Sequence, residues 1–255
     1  MCTVSVIHTG ERIDRGVRLV CNRDELRTRA EALPPRVCTL GERRAVMPID
    51  PDSGGTWIAV SDAGLVMTLL NRTPPGARTL RVNDAPPRSR GTIIPSLLRA
   101  SSFDETVEGA LHLRPRECEP FRLVILDMKS ICEIVSDGAA LRAFRTTTDG
   151  RPMLFTSSGL GDDMVDRPRR ELFEQLVPPY FATPVAQDVF HRHTWEGREH
   201  LSVLMRRADA RTVSRTTVEL SRGGARMTYE PVGDGAAAPV RSTAFQIVPA
   251  RVGNP

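Results

Sequence analysis

The chain has 255 residues, enough to bury a sizeable core, and 40% hydrophobic with 26% charged residues is an ordinary globular composition. Its net charge of +4 comes almost wholly from arginine, since Lys129 is the sole lysine; those arginines lie beside acids all along the chain and aromatics make up only 5%, which argues against a nucleic-acid interface. No apolar run is long enough for a signal peptide or a membrane span, and the five cysteines (Cys2, Cys21, Cys38, Cys118, Cys132) show neither a CxxC pair nor zinc spacing, so reduced thiols in the cytoplasm are expected.

In chain order, Cys2 to His8 and Val17 to Cys21 read as two apolar strands of a hairpin around Thr9-Gly10-Glu11, and the second runs into Asn22-Arg23-Asp24-Glu25. Residues 26–35 are charged and broken by Pro34-Pro35, and 41–55 reads as a loop. Thr56 to Val60 and Leu65 to Leu70 flank Ser61-Asp62-Ala63-Gly64 as the clearest hairpin. Its strands are apolar on both faces, as in a sheet covered on both sides. The stretch 71–90, rich in Pro, Gly and Arg, reads as a loop able to cover a site. Two short helices follow at 91–100 and 102–113, the second with Ser102 and Glu105 in a capping-box pattern. Residues 122–127 and 131–136 form a further hairpin, with strands at 142–147 and 153–156. Residues 166–177 read as a helix with Pro168 in its first turn, and 185–195 as helical. A hairpin over 213–220 and 225–229 precedes a loose tail. Hairpins in series with helices between them fit an α+β layered fold, and without a repeat or linker the expectation is one domain over 1–255.

The chemistry concentrates at the start. Methionine aminopeptidase removes Met1 when the next residue is small, which leaves Cys2 carrying both a thiol and a free α-amine. With an unperturbed pKa near ~8, that amine can act as base for its own side chain. Cys2 also reads as a small residue opening a strand. In an antiparallel pair the start of one strand lies beside the end of the next, so Asp24 is expected near Cys2, hydrogen-bonding its amine; a solvated strand end is the other reading.

Met1-Cys2, Asn22-Arg23-Asp24-Glu25, Gly54-Gly55-Thr56-Trp57, Asn71-Arg72 and Thr212-Val213-Ser214 together resemble the NRDE family, also called the transport-and-Golgi-organisation two family. That family is similar to N-terminal-nucleophile (Ntn) hydrolases of the penicillin V acylase and bile-salt hydrolase branch. The resemblance implies a four-layer αββα sandwich with Cys2 at the head of a central strand. It also implies catalytic roles for Cys2, Asn22, Arg23 and Asp24. Acyl transfer needs a donor for the oxyanion, and Asn71 matches the asparagine that those hydrolases carry after an equivalent strand. Asn71 also reads as the start of a turn with Arg72 and Thr73. The chain departs from the hydrolases twice. Cys21 stands three residues before Asp24, where they have an arginine beside the thiol, and Arg23, next to Asp24, faces away from it along the strand. Ser158 stands where they have a further asparagine.

Trp57, Arg72 and Ser158 are the expected substrate contacts, with the arginines at 72, 78, 81, 88 and 90 able to meet a carboxylate. His191, His193 and His200 lack ligand spacing and read as solvent-facing, so no metal is expected. The leading expectation is a hydrolase of non-peptide amide C–N bonds using Cys2, needing no cofactor. The alternative is a binding or trafficking protein of the same fold, with haem or a lipid-related molecule as ligand. Without a C-x-x-C-H motif any haem would be non-covalent, held by Cys2 or His8. A small-molecule partner is expected in either case; oligomeric state has no sequence signal.

Overall fold

Strands that are largely apolar build two antiparallel sheets in a computed structural model that describes residues 2–10, 16–73, 87–147, 150–233 and 239–247. Met1, Arg78, Arg81 and most of the expected covering loop and terminal tail lie outside the described residues. The strands are β1 (Cys2–Thr9), β2 (Gly16–Leu26), β3 (Leu33–Leu40), β4 (Arg43–Ile49), β5 (Ile58–Ser61), β6 (Val66–Asn71), β7 (Phe121–Leu126), β8 (Ser130–Ser136), β9 (Leu141–Thr147), β10 (Met153–Thr156), β11 (Ala210–Ser221), β12 (Gly224–Pro231) and β13 (Arg241–Phe245). The helices are α1 (Ile93–Leu97), α2 (Phe103–Leu111), α3 (Asp162–Leu176) and α4 (Pro184–His191). One sheet runs β10-β1-β2-β11-β12-β13, the other β3-β4-β5-β6-β7-β8-β9.

Both sheets are apolar on both faces because the two inner faces share one core and each outer face meets a core of its own. The first core takes Cys2, Val4, Leu19 and Cys21 from one sheet and Val46, Ile58, Leu70 and Val124 from the other. The opposite face of the second sheet gives Met67, Leu69, Leu123 and Ile125 to a core shared with Ile94 and Val107 of α1 and α2. The opposite face of the first sheet gives Ile7 and Leu154 to a core shared with Phe173 of α3 and Phe190 of α4. Each such side chain, fully buried, contributes about 1.5–3 kcal/mol.

The expected cap of α2 is present. The Ser102 hydroxyl caps α2 by accepting from the Glu105 amide at 3.2 Å, and Glu105 reaches back to the Ser101 amide at 2.7 Å. Five expectations need correction. Pro34-Pro35 lies inside β3, which tolerates it because β3 is an edge strand with a register shift between Leu33 and Arg36. Residues 43–49 of the expected loop are β4, and 241–245 of the expected tail are β13. The helix α3 starts at Asp162, a turn earlier than its apolar pattern, so Pro168 sits in its interior. His191 is fully buried in α4 and not solvent-facing.

Candidate active site

Strand register decides what surrounds Cys2. Against β2, Cys2 pairs with Arg23, Thr3 with Asn22 and Val4 with Cys21. The two-residue period then puts Cys2, Cys21 and Arg23 on the face between the sheets, and Thr3, Asn22 and Asp24 on the face of α3 and α4. On its other side β1 pairs with β10, and the next residue after β10 closes on Cys2. The Cys2 nitrogen donates to Ser157 Oγ at 2.9 Å, and the Ser157 amide donates to the Cys2 carbonyl at 2.9 Å. Ser158, the expected substrate contact, is the next residue, and its hydroxyl accepts from the Leu160 amide at 3.1 Å inside its own turn.

The thiol of Cys2 is buried on the same face as Cys21. The neighbouring Cys21 thiol, as a potential hydrogen-bond donor, is the chief influence holding its pKa below the ordinary thiol value; burial and Asp24 push the other way, while Arg23 assists. Cys21 is pushed well up, first by the neighbouring Cys2 thiol and then by burial. Arg23 stands over the Trp57 ring, 4.2 Å from its centroid, and donates to Asp50 at 2.5 Å. The stretch Gly54-Gly55-Thr56-Trp57 explains this placement. Gly54 has φ +66, and a Cβ on Gly55 would collide with the Gly91 backbone. Asp50 holds the turn, accepting from the Asp52 and Ser53 amides at 3.1 Å each and from Arg29 at 2.9 Å. Burial works against its ionisation, but Arg29 and Arg23 outweigh it and hold its carboxyl below the ordinary range. The Trp57 Nε1–H is buried and, among the described residues, finds no acceptor.

Asp24 is beside Cys2 electrostatically but on the reverse of the strand. Thr212 donates to its Oδ1 at 2.6 Å. Burial raises its carboxyl pKa, opposed by Arg169 and by that hydrogen bond. Arg169 of α3 is 1% exposed and ties the face together, donating to Thr3 Oγ1 at 2.6 Å, to the Leu201 carbonyl at 2.9 Å and to the Ser202 carbonyl at 2.7 Å. Neither Arg169 nor Ser157 had a local signal; both reach the site from more than 150 residues away in sequence.

Asn22 is not at the thiol. Its Nδ2 donates to the carbonyls of His191 and Val203 at 2.9 Å each, and its Oδ1 faces His191 Nδ1 at 3.0 Å. His191 Nε2 is 2.7 Å from the Ser5 hydroxyl. Burial, reinforced by Arg215 and Arg18, holds the imidazole well below its ordinary pKa, so it folds neutral. The unfolded chain protonates this residue below pH ~6.5 and the folded chain does not, so stability is lost on acidification, by up to about 1.4 kcal/mol per pH unit. Urea unfolding between about pH 7.5 and 5.5 is expected to show this slope, and His191→Gln to flatten it. Equal slopes in both proteins would remove His191 as its source.

Asn71 also needs correction. Its register partner is Phe121, whose ring lies in the core of α1 and α2, so Asn71 shares that face, opposite to Thr68 and Leu70. The segment is nonetheless held near the site end. Asp162 accepts from the Thr73 amide at 3.3 Å and the Ser158 amide at 2.9 Å, and the Arg72 amide donates to the Pro120 carbonyl at 3.1 Å. A cavity of about 630 Å³ lies along β10 between Arg122, Phe155 and Phe173; Cys2 does not line it. A second, of about 300 Å³, is lined by Thr212, Met205 and Arg211, behind Asp24. Among the described residues no three His, Cys, Asp or Glu side chains group to hold a metal, and no helix is long and apolar enough to cross a membrane.

The two antiparallel sheets have a fold similar to that of solved Ntn-hydrolase structures. The chain is similar to the N-acylethanolamine-hydrolyzing acid amidase ortholog of Caenorhabditis elegans, with TM-score 0.56 and 13% identity over 84% of this chain and 91% of that one. A mutant of conjugated bile acid hydrolase from Clostridium perfringens aligns with TM-score 0.48 and 13% identity over 96% of this chain and 92% of that one. No curated protein matches the sequence. The chain belongs to the Transport and Golgi organisation 2 family, whose model matches residues 1–174.

Proposed function

We propose that the chain is an Ntn-type amidohydrolase that cleaves non-peptide amide C–N bonds of a small molecule, using Cys2 after removal of Met1. We read it as one domain over 1–255, a four-layer αββα sandwich, in keeping with the three cores. The observation that carries the reading is the placement of Cys2. Its nitrogen is held by Ser157, and its thiol sits between Cys21 and Arg23 at the end of the inter-sheet core.

In this reading the free α-amine of Cys2 takes the thiol proton, and the thiolate adds to the amide carbonyl carbon. The Trp57 indole N–H, a buried donor that finds no acceptor among the described residues, suits the carbonyl oxygen as it gains charge. The C–N bond then breaks, the ammonium of Cys2 gives its proton to the leaving nitrogen, and a thioester remains. Water adds to the thioester, its proton passing through the same amine to the sulfur, and the carboxylic acid leaves. Asp24, behind the strand, balances the positive charge that builds on the amine.

Intact mass after incubation with a panel of N-acyl amides and activated acyl esters tests this. Loss of Met1 and addition of one acyl group at Cys2 are expected. A chain that keeps Met1, or that is acylated by none of the panel, overturns the reading.

A further inference from the structure

The side chain nearest in kind to the Cys2 sulfur is a second thiol. Cys2 and Cys21 are diagonal neighbours across β1 and β2, on one face, since Cys2 pairs with Arg23 and Cys21 with Val4. Diagonal positions of an antiparallel pair lie about 7–8 Å apart at Cα and closer at the side chains, within reach of one another. Both residues belong to the inter-sheet core, and Cys21 is fully buried. From the facing sheet Thr68, on the inner face of β6 with Val66 and Leu70, bonds the Trp57 carbonyl at 3.2 Å.

The cation on that face of β2 is already engaged. Arg23 donates to Asp50 at 2.5 Å, and its guanidinium stacks on Trp57. A neutral donor in contact with the sulfur has no such competitor.

We propose that Cys21 is a positioning residue for Cys2: its S–H donates a hydrogen bond to the Cys2 sulfur and thereby stabilises the thiolate. The two thiols divide the labour. Cys21 keeps its proton, Cys2 gives its proton up, and no further charged side chain needs to be brought to the sulfur. The idea deepens the amidohydrolase reading and rests on it for its purpose, but ionisation can be measured without turnover.

The test is the ultraviolet thiolate absorbance of Cys2 against pH, taken as the difference between each protein and its Cys2→Ala counterpart. Cys21→Val is expected to raise the Cys2 midpoint by about one pH unit, as expected for loss of a hydrogen bond to the charged form. Cys21→Ser, which keeps a donor, is expected to stay within about half of that shift. If valine does not fit the site, Cys21→Ala replaces it with the same expectation. An unmoved midpoint in the apolar variants overturns the proposal, as does a serine variant that moves as far as they do. A shifted midpoint in a protein that cleaves no amide keeps Cys21 in its role and removes the hydrolase reading alone.

Discussion

Cys2→Ala is expected to lower amide hydrolysis by about 10⁴-fold or more, to background, with the fold kept. The change removes one sulfur from a buried position and leaves the backbone of β1 in register with β2 and β10. Its cost in stability is therefore about 1 kcal/mol, well below what the three cores supply. The amine remains, still held by Ser157, so any residual activity in this variant would come from water activated by that amine. Cys2→Ser separates the two contributions, because it keeps a nucleophile but one that is harder to ionise. Initial rates with the best amide of the panel, beside melting curves, decide the matter. Hydrolysis by the alanine variant at the parent rate would remove Cys2 from the chemistry.

The second large effect falls on stability. Arg169→Met is expected to cost about 3–5 kcal/mol, because breaking a buried charge arrangement leaves the partner uncompensated. Arg169 fills a site 1% exposed, and its loss removes donors from Thr3 and from the carbonyls of Leu201 and Ser202. Asp24 loses the cation that opposes its desolvation, so its carboxyl moves further up. Arg169→Lys keeps the charge but not the spread of the guanidinium donors, and about half the loss is expected. Urea midpoints give the values. A loss under about 1 kcal/mol for the methionine variant would mean that the face between β1 and α3 relaxes to satisfy these groups by other means.

What could be read from the sequence was what depends on near neighbours. The hairpins β1–β2, β5–β6, β7–β8 and β11–β12 follow from apolar strands around short polar turns, and the Ser102 cap from a three-residue spacing. The edge strands were hidden. Pro34-Pro35 reads as a breaker until β3 is known to carry only one neighbour. His191 lies in a run of arginines and histidines that reads as solvated, and its burial follows from Ser5 and Asn22, 186 and 169 residues away in sequence. At the site the pattern named the right segments and missed the faces. Arg23 was expected to turn away because it neighbours Asp24, yet that alternation is what brings it to the side of the thiol. Asn71 and Ser158 were each assigned by position along a strand or loop, and a one-residue change of phase moves a side chain to the opposite face.

The strand β2 has no idle side. Its odd positions Cys21 and Arg23 share the face of the thiol, and of its even positions Asn22 holds the His191 carbonyl of α4 while Asp24 accepts from Thr212 of β11. An inserted or deleted residue anywhere upstream within this strand would trade the two sets at once, sending carboxylate and amide toward the sulfur and thiol and guanidinium into the helix packing. Drift in this segment is therefore confined to swaps at fixed length, and grafting its chemistry onto another scaffold would require moving the four-residue block whole, together with both surfaces it addresses.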